Sequence, residues 1–254
     1  MARESKRSGG IRWRLWLWLA ASGLICVSTA MAAYKALAYA LTDPRFTLST
    51  HSQDALAIQG LNYAARAKVL NVFAADFGRS AFSVPLAERR RRLLAIDWVQ
   101  DASVSRVWPN RLLVRIRERK PVAFVAVRSG AMLVDAEGVL LGLPPRARFA
   151  FPVIDGLREE ETDAQRREGV SAFLRFQQNM GHLANDVSEV DVADPNSLRI
   201  VTRVENRAVE LIVGDADFAA RYQNFVSRYQ EIRKQSPDAG TFDLRLDDRI
   251  TARK

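Results

Sequence analysis

Four consecutive arginines, Arg89-Arg90-Arg91-Arg92, are the densest chemical feature of this 254-residue chain. Guanidinium forks suit carboxylates and phosphates, so the run is read either as a docking surface for an acidic partner or anionic headgroups, or as a solvated helix face. On a helix it wraps most of the circumference between Leu86 and Leu93-Leu94, which forces at least one arginine stem to lie along apolar surface. Glu159-Glu160-Glu161 concentrates three carboxylates, but adjacent residues on a strand or helix do not converge on one point, so a solvated loop is expected there. Asp135-Ala136-Glu137-Gly138 lacks the acidic spacing and terminal glutamate of a calcium loop, and it reads as a hairpin turn with Gly138 in its last position. His51 and His182 are far apart and Cys26 is the one cysteine, which excludes a Cys/His zinc site and an internal disulfide. With no G-x-S-x-G, P-loop, H-E-x-x-H or G-x-G-x-x-G, neither an enzyme nor a cofactor or metal is expected.

A net charge of +9 invites a nucleic-acid reading until the charge is located. Arg3, Lys6, Arg7, Arg12 and Arg14 against Glu4 put four of those nine charges into the first fourteen residues. Leu15 to Tyr34 then run without a charge, and twenty helical residues span about 30 Å, the thickness of a hydrocarbon core. Trp13, Trp16 and Trp18 at one end, and Tyr34 with Lys35 at the other, are placed to anchor this segment at two membrane interfaces. Positive charge is retained on the cytoplasmic side, so the N-terminus is expected inside and the remainder outside, which removes the case for nucleic acid. Ala30-Met31-Ala32 has the form of a signal-peptidase site, but the apolar stretch is longer than a signal h-region, and Cys26 follows bulky Leu24 and Ile25 rather than a lipoprotein signal.

The elements outside divide in two. Leu56 and Ile58 alternate up to Gly60; Asn62 can cap a helix with Val69, Leu70, Phe73 and Phe77 on one face; Pro85 opens a second helix; Ala102–Trp108 and Leu112–Ile116 alternate as strands around Pro109-Asn110. This is β-α-α-β-β order. Beyond Pro121 short strands are expected at 122–127, 132–134, 139–141, 187–192, 198–201 and 209–213, with helices at 163–180 and 217–234. The second helix carries an aromatic stripe of Phe218, Tyr222, Phe225 and Tyr229 that reads as core packing. The fold class is α+β: a transmembrane helix, a β-α-α-β-β domain, then a β-rich domain with two helices. The expected boundaries are 1–14 basic tail, 15–34 membrane helix, 35–50 juxtamembrane linker, 51–120 first domain and 121–254 second domain.

The segments "LAIQG" (56–60), "DWVQDASVSRVWPNRLLVRIRERKPVAF" (97–124), "LVDAEGVLL" (133–141) and "FDLR" (242–245) follow a basic tail and a single membrane helix. That order resembles the FtsQ/DivIB family of bacterial cell-division proteins, with Trp98, Val99, Ala102, Val104, Arg106, Trp108, Pro109, Asn110, Glu118, Arg119 and Pro121 among the positions that carry the likeness. The resemblance implies a POTRA domain for residues 51–120 and the family's β domain for 121–254. It also implies a septal inner-membrane scaffold that recruits FtsB and FtsL and, through them, FtsW and FtsI, with the lipid bilayer as its other partner. Asp97 stands where the family often has proline, and Leu246 where enterobacterial relatives place an aromatic contact. The recruitment is expected by strand addition to a terminal edge at Thr241–Arg253, in which Phe242, Leu244, Arg245, Leu246 and Ile250 meet the partner. Trp98 and Trp108 are expected in the core or at its rim. A POTRA-type envelope chaperone or translocation component is the alternative; it predicts tandem repeats or a membrane barrel, and one copy and no barrel-like strand series are present.

Overall fold

The computed structural model describes residues 9–145, 147–246 and 249–253. Arg3, Glu4, Lys6 and Arg7 of the basic tail lie outside the described residues, as do the side chains of Arg12 and Arg14. The chain begins with α1 (Gly9–Thr42), whose apolar stretch Trp16–Thr42 is long enough to cross a membrane and is not buried by protein. Within the 35–50 stretch, Ala36 to Thr42 continue as helix, because nothing interrupts them until Asp43-Pro44, where Pro44 opens a single 3-10 turn capped by Asp43. Tyr34 and Lys35 therefore stand about two turns before the end of α1 instead of at it.

Two compact units follow from the contact pattern. One comprises the chain up to Gln59, Ala67–Leu93 and Ala102–Arg115; the other comprises Gly60–Arg66, Leu94–Asp101 and the chain from Ile116 onward. After the short α2 (Ser52–Ala55), β1 (Leu56–Gln59), α3 (Arg66–Val72), α4 (Leu86–Leu94), β2 (Val99–Val107) and β3 (Arg111–Glu118) reproduce the β-α-α-β-β order. The three strands form a sheet in the order β1-β3-β2, with β1 parallel to β3. Leu56, Val69, Phe73, Leu93, Leu112 and Val114 are buried, the inward positions of the period-2 and helical patterns. Asn62 does not cap α3, which starts four residues later; the Glu118 carboxylate instead accepts the backbone N–H groups of Asn62, Tyr63 and Ala64 at 2.7–3.0 Å.

The second unit is organised on a nine-stranded sheet made of β4 (Pro121–Val127), β5 (Gly130–Asp135), β6 (Leu140–Leu141), β7 (Val153–Asp155), β8 (Val187–Asp191), β9 (Leu198–Val204), β10 (Arg207–Gly214), β11 (Thr241–Asp243) and β12 (Thr251–Arg253). Their spatial order is β12-β11-β10-β9-β8-β7-β4-β5-β6. Helices α5 (Asp163–Met180) and α6 (Phe218–Gln235) bury Val170, Phe173, Phe176, Phe218, Tyr222, Phe225 and Tyr229 in one cluster with β-strand residues such as Val190, Ile200 and Leu211. Each large apolar side chain taken from water there contributes about 1.5–3 kcal/mol. Thr162 starts α5 with a reciprocal capping box to Gln165. The expected turn at Asp135–Gly138 is present: the Gly138 N–H donates to the Asp135 carbonyl at 3.1 Å, and φ is +82°. A Cβ at Gly138 would also meet the Asp163 carbonyl oxygen at 2.5 Å, so only glycine fits. The Asp135 carboxylate is used internally, by the N–H groups of Glu137 and Val139 and by Arg119 at 2.7 Å.

Trp98 and Trp108 part company. Trp98 is buried and donates its indole N–H to the Gly142 carbonyl, among Leu133, Leu141 and Phe149. Trp108, one residue beyond β2, is 78% exposed, contrary to the core or rim position expected from strand alternation.

Candidate partner-binding edge

The terminal segment is not one strand. β11 runs parallel to β10 and antiparallel to β12, so both of its sides are occupied, and among the described residues the sheet ends on β12. The Glu210 N–H donates to the Gly240 carbonyl and the Leu244 N–H to the Ile212 carbonyl, each at 2.9 Å, which turns the backbones of 240, 242 and 244 toward β10. Thr241 and Asp243 consequently face β12 and pair with Arg253 and Thr251. Ala252, opposite Phe242, belongs to the pair without mutual hydrogen bonds, so its N–H and C=O point away from β11 along the free edge. Ala252 is the edge residue that period-2 reasoning missed, since a strand read as continuous gives no sign that it folds back on itself.

The five residues expected to meet a partner take different places. Phe242 and Leu244 are buried core: the Phe242 ring lies 5.0 Å from Phe225 and 6.4 Å from Tyr229, centroid to centroid. They hold the hairpin down and are not presented to a partner, because the apolar face assigned to binding is the one α6 covers. Leu246 is exposed, and Ile250 is half-buried. Together with Leu244, Asp217, Ala220, Arg221 and Asn224 they line a groove of about 360 Å³ beside the edge. Arg245 is half-exposed and grips Asp243 with two guanidinium hydrogen bonds of 2.9 and 2.7 Å, while Arg253 reaches the same carboxylate at 3.0 Å.

The hydrogen bonds from Arg245, with the charge of Arg253 behind them, hold the Asp243 carboxyl below its ordinary value of 3.8. A carboxyl depressed on folding stabilises above its unfolded pKa, about 3.9, and loses that contribution as pH falls through the folded value. Hydrogen-exchange protection of β11 and β12 is therefore expected to hold from neutral pH down to about 5 and to fall below about 4, once corrected for intrinsic rates. In Asp243→Asn the same amides should be less protected throughout, and this acid step should be missing.

The arginine run is divided by the fold. Arg89 is buried and donates from Nε and Nη2 to the two carboxylate oxygens of Asp76 at 2.6 and 2.9 Å, so it is no part of a docking surface. Its neighbour Arg90 spends its Nε on the Ala102 carbonyl at 2.7 Å, which anchors α4 to β2. Arg90, Arg91 and Arg92 are all exposed, the last paired with Glu88 one turn earlier. Glu159, Glu160 and Glu161 lie in the loop before α5, where Glu160 meets Arg128 at 3.3 Å. Trp13, Trp16, Trp18 and Tyr34 all project from α1 unburied.

Two family models match the chain: the FtsQ-type POTRA domain over residues 52–119, and the C-terminal domain of cell division protein FtsQ/DivIB over 123–245. A cell division protein FtsQ of Koribacter versatilis is 33% identical over 212 residues, covering 81% of this chain and 60% of that one. The FtsQ of Shewanella oneidensis is 25% identical over 95% of this chain and 87% of its own. That of Bordetella pertussis is 31% identical over 41% of this chain. The chain spans 60% and 38% of the Koribacter and Bordetella proteins, less than two thirds of either.

Proposed function

Because the chain belongs to the FtsQ/DivIB family of bacterial cell-division proteins, we propose that it acts as a non-enzymatic scaffold of the division machinery. In this reading α1 crosses the inner membrane once with the N-terminus in the cytoplasm, and the domains at 51–120 and 121–254 stand outside, at the septum. The outer β domain captures FtsB, and with it FtsL, and so brings FtsW and FtsI to the site of septal wall synthesis. The observation that carries the binding mode is the β12 edge, free among the described residues, where the Ala252 N–H and C=O face outward at the end of the sheet. An extended partner segment adding there gains backbone hydrogen bonds for affinity. The groove lined by Leu246 and Ile250 offers it an apolar foothold for selectivity. In the first domain, exposed Arg90, Arg91 and Arg92 are what remains of the arginine run for an acidic partner.

A fluorescent fusion in dividing cells, combined with depletion, tests the assignment. A midcell band and filamentation on depletion are expected. Uniform envelope fluorescence with normal septation would remove the division role.

A further inference from the structure

Where α1 meets the first unit, four aromatic rings form one cluster. Phe46 sits at its centre, 6.0 Å from Tyr39, 5.2 Å from Phe82 and 6.5 Å from Trp108, all edge-on. These rings come from α1, the 3-10 turn Pro44–Phe46, the loop before α4 and the tip of the β2–β3 hairpin. Trp108 is 78% exposed, and Tyr39, Leu41, Phe82 and Val107 are all more than 40% exposed, so the cluster presents a continuous apolar face. In water such a face is costly, and a large exposed patch marks a contact.

The face is fixed relative to α1. Ser80 donates its hydroxyl to the Ala40 carbonyl at 2.7 Å, the Leu48 N–H donates to the Arg79 carbonyl, and Thr47 bridges Ser80. Arg106 joins β2 to the loop carrying Phe82 by donating to the carbonyls of Ala81, Phe82 and Val84, and its guanidinium lies 6.0 Å from the Phe82 ring centroid. Hairpin tip, loop and helix end therefore move as one piece.

We propose that this aromatic face is a membrane-contact surface that seats the first unit on the outer leaflet, with Trp108 entering the headgroup layer. The proposal rests on α1 crossing the bilayer. Its 27-residue apolar span is about 40 Å long, which matches a bilayer with its headgroup regions instead of the hydrocarbon core alone. Thr42 then lies at headgroup depth with Tyr39 one turn inside, and Phe46 and Trp108 follow within one or two ring contacts of Tyr39. Tryptophan and tyrosine favour that layer because each has an apolar body and a polar edge. Exposed Arg45, Arg79 and Arg111, next in sequence to Phe46, Ser80 and Asn110, supply cations suited to lipid phosphates. No other occupant is continuous with the membrane helix itself.

The test uses the full chain with Cys26→Ser and Val107→Cys, labelled with an environment-sensitive fluorophore and reconstituted in phosphatidylethanolamine–phosphatidylglycerol liposomes. Flotation with the vesicles reports whether α1 inserts, separately from the face. Lipid carrying a shallow nitroxide quencher is expected to lower the fluorescence roughly two-fold while aqueous iodide has little effect, as for an interfacial side chain. Adding Trp108→Ser should reverse that preference with flotation unchanged. A floated protein whose label is quenched by iodide and not by lipid overturns the proposal, as does shielding that arises only when a second copy or a partner protein is added.

Discussion

Replacing Asp76 with alanine is expected to destabilise the first unit by about 3–5 kcal/mol, the range for stripping one partner from a buried ion pair. Asp76 is fully buried and Arg89 nearly so, and the two-pronged contact ties the turn after α3 to the middle of α4. The variant leaves a guanidinium inside with no anion to balance it. Folded domains hold only about 5–15 kcal/mol in total, so such a loss takes a large share of a small unit's stability. Exchange protection of β1 and β3 should collapse accordingly. The double variant Asp76→Leu, Arg89→Met removes both charges and fills their space, and it should recover most of the loss. Arg91→Ala, on the exposed side of α4, should change stability by less than about 0.5 kcal/mol. A single variant Asp76→Ala that lost under about 1 kcal/mol would show that the pair is not what fastens α4. Within the run, a division defect from Arg89 substitution is thus expected to be a folding defect, and exposed Arg91 and Arg92 are the cleaner reporters on docking.

The elements that were legible in the sequence are those whose pattern is long enough to repeat. α5 carries its apolar face through five turns and a capping box, and β9 alternates over seven residues, so period and punctuation agree. β7 had no such chance. Three residues between Pro152 and Gly156 cannot display a period, yet β7 lies between β4 and β8, parallel to both. Burial of charge was visible only in outline: the run requires that one arginine stem lie along apolar surface, but that it is Arg89 emerges only when the fold supplies Asp76. At the C-terminus alternation finds the apolar face and leaves open what covers it. Phe242 and Leu244 do share a side, but the partner on that side is α6 of the same chain. Alternation reveals that a face is apolar and not whether the chain or a stranger covers it.

That distinction decides how the proposed edge must be tested. Deleting Thr241 to Lys254, or changing Leu244 to aspartate, strikes the core, and Phe242→Ala alone should cost about 3–5 kcal/mol through the cavity it opens under α6. Loss of binding in any of these would follow from an unmade hairpin. Ala252→Pro is the discriminating change. It removes the one β12 N–H assigned to the free edge and sets a ring where an incoming strand would lie, while the ladder to β11 runs through Thr251 and Arg253 and stays intact. Capture of the exterior segment of FtsB is expected to weaken about tenfold or more, since one backbone hydrogen bond and a steric clash together exceed about 1.4 kcal/mol. Thermal unfolding should barely move. Ala252→Val keeps the N–H and favours extended backbone, so it should bind as the parent does. Undiminished affinity in a folded Ala252→Pro chain would exclude strand addition at β12 and move attention to the groove of Leu246 and Ile250, where Leu246→Glu would then carry the loss.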